Sequence, residues 1–160
     1  MNHETQITLD KFVAVLRDLA ETAGQIARIE QAKAQAASEN RHERLDDFIQ
    51  DEQAYILKLR GQEQHRLRLA EQLGWKDLTF RQILASVEGE QEQLLSPLFA
   101  ELERELKRLE QARGSSERII NAKLREIQVS IARQQGGSYD NTGNVSPNPP
   151  LQSKMHNKYV

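Results

Sequence analysis

Apolar residues recur at steps of three and four along most of residues 9–131, a rhythm that long amphipathic helices satisfy and strands do not. Leu9, Phe12, Leu16, Leu19, Ala23 and Ile26 step by 3, 4, 3, 4 and 3, the a/d spacing of a coiled-coil seam. Thr8, just before this seam, reads as an N-cap. Beyond Ile26 the stripe thins to alanines, which favour helix but bury little. A first helix is expected from about Leu9 to about Ala37.

After the weak breaker Ser38–Arg41, a second stripe takes in Leu45, Phe48, Ile49, Glu52, Tyr55, Ile56, Leu59, Leu67, Leu69 and Leu73. It has a soft spot at Gly61–Gln64, and Gly74 follows it in the position of a C-terminal cap. Thr79 with Gln82 three residues on makes a capping box for a short connector helix, Phe80 to about Ser86. The sole tryptophan, Trp75, lies in this connector, where an aromatic side chain serves to plug the end of a bundle. Leu94, Leu95, Leu98, Leu102, Leu106 and Leu109 start a third long helix at Glu90, with Pro97 near its start, where proline is best tolerated. Ile119, Ile120, Leu124, Ile127 and Ile131 continue it past Gly114, a point of thinning or kinking. Gly136-Gly137 ends the helix, and residues 138–160 hold three of the four prolines and have no apolar period. The expected architecture is all-α: an elongated antiparallel bundle of three long helices plus a short connector, spanning 1–137, with a disordered polar tail over 138–160.

Composition agrees with helices that each bury one stripe: 38% of the 160 residues are hydrophobic and 5% aromatic, lean for a globule of this length. The formal charge of −2 is interspersed, as in Glu101-Leu-Glu-Arg-Glu-Leu-Lys-Arg108, so no broad basic footprint for nucleic acid is expected. Cysteine is absent, which removes disulfides and zinc–thiolate sites. His3, His42, His65 and His156 stand in polar surroundings without a metal-ligand spacing. Serines lack a nucleophile turn, and carboxylates alternate with bases, as in Glu39–Asp47, in the manner of a solvated helix face. Neither catalysis nor a cofactor or metal is expected. Met1–Ile7 has no signal-peptide character and no apolar run could span a bilayer, so a cytoplasmic chain without membrane insertion is expected.

The functional material left is the apolar stripe over 119–131. If no later helix covers it, it is a site for a partner helix. Packing within the bundle or in a homo-oligomer is the competing role.

Several segments resemble FlgN-type flagellar export chaperones. Leu45–Gly61, with Glu52-Gln53 before Leu57-Lys-Leu59, is similar to the second helix of that family. Gln64–Leu67 with Leu73-Gly74 resembles its helix end, and Leu78–Leu84 its connector helix. Asn121-Ala-Lys-Leu124 resembles the second half of the family's asparagine–leucine pattern, with Arg118 in place of the first asparagine. Tyr139–Gly143 and the end Lys158-Tyr-Val160 are similar to its tail. The resemblance implies a non-enzymatic cytosolic chaperone that binds hook–filament junction proteins, keeps them from associating prematurely and delivers them to the flagellar type III export apparatus. It further implies client capture by Ile119, Ile120, Asn121, Leu124, Ile127 and Ile131, and contact of Tyr139 with the export gate. A self-associating coiled-coil protein without a client is the alternative.

Overall fold

The computed structural model describes residues 2–134, and every regular element in that range is an α-helix: α1 (His3–Ser38), α2 (His42–Gln72), α3 (Phe80–Ser86) and α4 (Glu90–Gln134). The all-helical class expected from the periodicity is the one observed. None of these helices is long and apolar enough to cross a membrane. Gly136-Gly137, the 138–160 tail and Tyr139 lie outside the described residues.

Local chemistry sets the boundaries. α1 starts earlier than its stripe implies, because Asn2 is the N-cap: its Oδ1 accepts from the Thr5 N–H at 2.7 Å. Thr8 is therefore no cap but an interior residue, its hydroxyl donating to the Glu4 carbonyl one turn back. At the far end Asn40 takes a left-handed φ of 59°. Its N–H donates to the Ala37 carbonyl and that of Arg41 to the Ala36 carbonyl, the paired closure of a Schellman motif. Gly74 (φ 81°) repeats the arrangement after α2, with Gly74 donating to Glu71 and Trp75 to Ala70. The Thr79–Gln82 capping box forms in both directions, at 3.2 Å and 2.9 Å. Gly61 and Gly114 interrupt neither α2 nor α4.

α1 is the shared partner, packed along its length by both α2 and α4, whereas α2 and α4 have at most glancing contact. The registers follow from pairs of residues that meet. Phe12 touches Trp75, just past α2, and Lys33 touches Glu52, so α2 runs back along α1. Phe12 also touches Phe99, and Gly24 faces Glu105, so α4 runs parallel to α1. Service to two neighbours gives α1 two buried sides. Leu9, Phe12, Leu16, Leu19, Ala23 and Ile26 are all buried as expected, and Val13, Val15, Ala20 and Ala27 join them. Two members of the expected stripes point elsewhere: Leu67 and Leu94 are exposed, and Phe99, next to Leu98 in sequence, is the buried anchor of α4.

At the connector end the aromatic side chains form a chain of contacts. Trp75 meets Phe12 edge-on at 5.4 Å, Phe12 meets Phe99 edge-on at 6.2 Å, and Phe99 stacks on Phe80 at 4.2 Å. Arg66 also lies over Phe80, its guanidinium 5.4 Å from the ring centre, and holds Glu63 in a buried two-point pair at 2.9 and 2.8 Å. Glu63 and Arg66 thus break the expectation that charges lie on solvated faces, and do so without leaving an unpaired ion. Phe99 ties three elements together, so Phe99→Ala should cost about 3–5 kcal/mol. Urea unfolding followed by Trp75 fluorescence measures this, and Leu94→Ala, at an exposed position, should cost under about 1 kcal/mol in the same assay.

Candidate functional site: the end of α4

α4 is the longest element, 45 residues against 36 for α1 and 31 for α2. Its first half packs through Leu95, Phe99, Leu102, Leu109 and Ala112, all buried. The parallel register sets the end of α1 opposite about residue 124, so the last turns of α4 run roughly 15 Å beyond it at 1.5 Å per residue. Helix still forms there because residues 117–134 contain neither proline nor glycine and hold good helix formers in three Arg, two Glu, two Gln, two Ala, Lys123 and Leu124. A Lys123–Glu126 pair at 3.3 Å adds local support.

Burial fades as α4 leaves its partner. Ile119 and Ile120 are half-buried and Asn121 is exposed. Leu124, Ile127 and Ile131 are then 50%, 39% and 39% exposed, and Val129 is 49% exposed. These four make up half of the eight large apolar side chains that stand exposed among the described residues, gathered into two turns. One helical turn is 3.6 residues, so Ile120, Leu124, Ile127 and Ile131 fall on one side, the side that continues the buried Leu95–Leu102–Leu109 row. All six residues expected to form a client surface therefore lie on one stretch of helix, five of them apolar, running from half-buried to open. Val129 sits off the stripe, and periodicity does not single it out.

Where the covered part of α4 gives way to the open part, a buried polar cluster joins the three long helices. Lys33 of α1 donates to Glu52 of α2 at 2.6 Å and reaches Glu30 at 3.4 Å. Ser116 of α4 is buried against Glu30, its hydroxyl beside the carboxylate but without a hydrogen bond of good geometry. Burial opposes charge on both carboxyls. At Glu52 it dominates, and with the hydrogen bond to Glu30 it lifts the carboxyl to about 7 despite Lys33. Burial pushes Glu30 the same way, but the hydrogen bond from Glu52 and the charge of Lys33 outweigh it and hold this group below its ordinary value. Of the two, Glu52 is therefore the carboxyl that takes up a proton first as pH falls, and Lys33 stands beside both. Glu52 is legible in the sequence as an acid within an otherwise apolar stripe. Glu30, Lys33 and Ser116 give no such signal.

His3, His42 and His65 are exposed, and among the described residues no three His, Asp or Glu side chains converge as a metal ion would need. No family model matches the chain, and neither a curated protein nor a solved structure matches it.

The polar cluster gives the fold a pH dependence with a definite sign. The raised Glu52 carboxyl binds a proton in the folded chain that the unfolded chain releases near 4.5, so its stabilising effect is complete below that value and is lost as pH rises through about 7. The lowered Glu30 acts in the opposite sense, its contribution being present above 4.5 and lost on acidification below it. Stability should fall from pH 5 to pH 8 by on the order of 2–3 kcal/mol. Glu52→Gln keeps both hydrogen bonds without the charge and should flatten that slope, which denaturant midpoints across the range will read out. A slope unchanged in the variant would place the titration elsewhere.

Proposed function

We propose that the protein is a non-enzymatic binding protein whose working surface is the outer end of α4, and that it serves as an export chaperone of the FlgN type. The observation that carries this reading is the concentration of exposed Leu124, Ile127 and Ile131 on the part of α4 that outruns α1. A helix in water with one apolar side open fits a second amphipathic helix laid along it. The resemblance of Leu45–Gly61, Leu78–Leu84 and Asn121–Leu124 to FlgN-type chaperones supplies the client: the C-terminal helical region of a hook–filament junction protein. On this reading the elongated antiparallel bundle presents the site and the chain works in the cytoplasm. Covering the client's adhesive end shifts it away from premature association by mass action, until the export apparatus takes it over with Tyr139 in contact.

The decisive experiment is calorimetric titration of the full chain with a C-terminal peptide of a hook–filament junction protein. Saturable one-to-one binding with a negative heat-capacity change is expected. Leu124→Asp with Ile127→Asp should reduce affinity by at least about 100-fold, the loss of roughly 3 kcal/mol of apolar contact. Helicity by circular dichroism should be nearly unchanged, because both side chains are open to water. Unfolding of the double variant would make the stripe core and refute the site. No binding by the intact chain would favour the self-associating coiled coil instead.

A further inference from the structure

α2 is anchored unevenly along its length. From Leu59 to Ala70 it buries Leu59, Glu63, Arg66, Leu69 and Ala70, whereas between His42 and Lys58 the one buried side chain is Glu52. The continuous apolar core reaches Ala27 on α1 and is edged on α2 by Tyr55 and Ile56. Leu45, Phe48 and Ile49 lie beyond it and are half-buried. Counting along the antiparallel register from the Lys33–Glu52 contact sets Phe48 and Ile49 opposite Ala37 and Ala36, whose single methyl groups offer little apolar area.

Local chemistry adds little support to this half of the helix. Its N-cap position is Arg41, whose side chain makes no capping hydrogen bond, in contrast to Asn2 before α1 and Thr79 before α3. Gly61 marks the boundary with the well-packed half. A Cβ there would meet nothing within 4 Å, so packing does not require glycine, and its effect is to weaken the helix at that point. What ties the half to α1 through a buried group is Glu52, accepting from Lys33 at 2.6 Å.

We infer that residues 42–61 are a latched arm: this half of α2 unwinds and refolds as one unit while the rest of the bundle stays folded, and the Glu52–Lys33 bond is the latch that holds it closed. The connection Glu39–Arg41 is too short for an intact helix to swing away, so opening means unwinding. Release of Glu52 leaves Lys33 with Glu30 at 3.4 Å, so opening strands no ion on α1. It uncovers the Ala36–Ala37 side of α1 at the end of the bundle where α4 outruns α1, and does so whether or not α4 captures a client.

Native-state amide hydrogen exchange on the full chain at constant pH tests the arm and the latch separately. Amides of 45–58 should share one protection factor, at least about a hundredfold below that of 63–72. Glu52→Ala should lower it at least about tenfold, whereas Asp51→Ala, which removes the neighbouring exposed carboxylate, should not lower it. Gly61→Ala should raise it roughly fivefold through helix propensity. Ile83→Val, in the core beneath α3, should lower protection over 63–72 by roughly two- to tenfold and leave 45–58 unchanged, because a unit that opens alone does not respond to a loss elsewhere. Gly61→Ala and Ile83→Val retain the core, and so test the arm independently of Glu52→Ala. Equal protection over 45–58 and 63–72, or an equal fall in both on Ile83→Val, would overturn the arm, since α2 would then open only with the whole bundle. Protection that climbs steadily from residue 42 to residue 58 would overturn the single unit in favour of end fraying. A Glu52→Ala profile identical to that of the parent chain would overturn the latch.

Discussion

The burial of α1 between two helices that scarcely meet each other is the constraint on which the rest of the structure depends. A helix with one apolar stripe can serve one neighbour, and α1 serves two because its apolar and small residues wrap much of its circumference between Leu9 and Ala27. α2 and α4 need only one stripe each, and their remaining faces are mostly polar, Leu57, Leu67, Leu94 and Val129 being exposed exceptions. The lean hydrophobic composition of the chain follows from this arrangement, in which one helix is nearly core and two are surface. Cohesion is drawn from the middle, so whatever extends past α1 loses its support.

That loss happens at α4. Its parallel register against α1 makes the two helices run out together, and α4 is the longer. The stripe that is core along Leu95, Leu102 and Leu109 becomes surface at Leu124, Ile127 and Ile131, with no change in its spacing. The Glu30–Lys33–Glu52–Ser116 cluster stands near this transition. A buried ionic cluster adds little net stability over apolar packing, but it penalises any shift that would leave one of its members unpaired. It therefore suits a point where three helices must hold one register while one of them continues alone. The aromatic contacts from Trp75 through Phe12 and Phe99 to Phe80 anchor the opposite end, with Arg66 and its buried partner Glu63 set against Phe80.

The parts of this fold that depend on near neighbours in the chain are legible in the sequence. The Thr79–Gln82 capping box and the left-handed Gly74 are decided within a few residues, and both form as expected. The start of α1 is not legible in the same way. Residues 3–8 carry no apolar rhythm, so the stripe points to Thr8, while the Asn2 cap that begins the helix lies outside it. Periodicity identifies Leu102 and Leu109 but not Phe99, Val13 or Val15, since a single stripe assumes a single buried side. The Glu63–Arg66 pair and the Glu30–Lys33–Glu52 cluster are hidden among many similar charges; their burial depends on what packs over them. At 119–131 the sequence shows an amphipathic helix, but whether anything covers it turns on a difference in helix length and on register, which are tertiary facts.

The central claim is that residues 124–134 form a helix continuous with the core of α4 yet without a partner among the described residues. Amide hydrogen exchange on the isolated chain at low micromolar concentration tests it directly, because a helix without tertiary support opens locally far more often than one that is packed. The account predicts strong protection over residues 95–112, a decline after Ser116, and weak protection over 124–134 that rises when a client helix is added. Protection over 124–134 equal to that of 95–112 in the free monomer would contradict it, since the stripe would then be covered already.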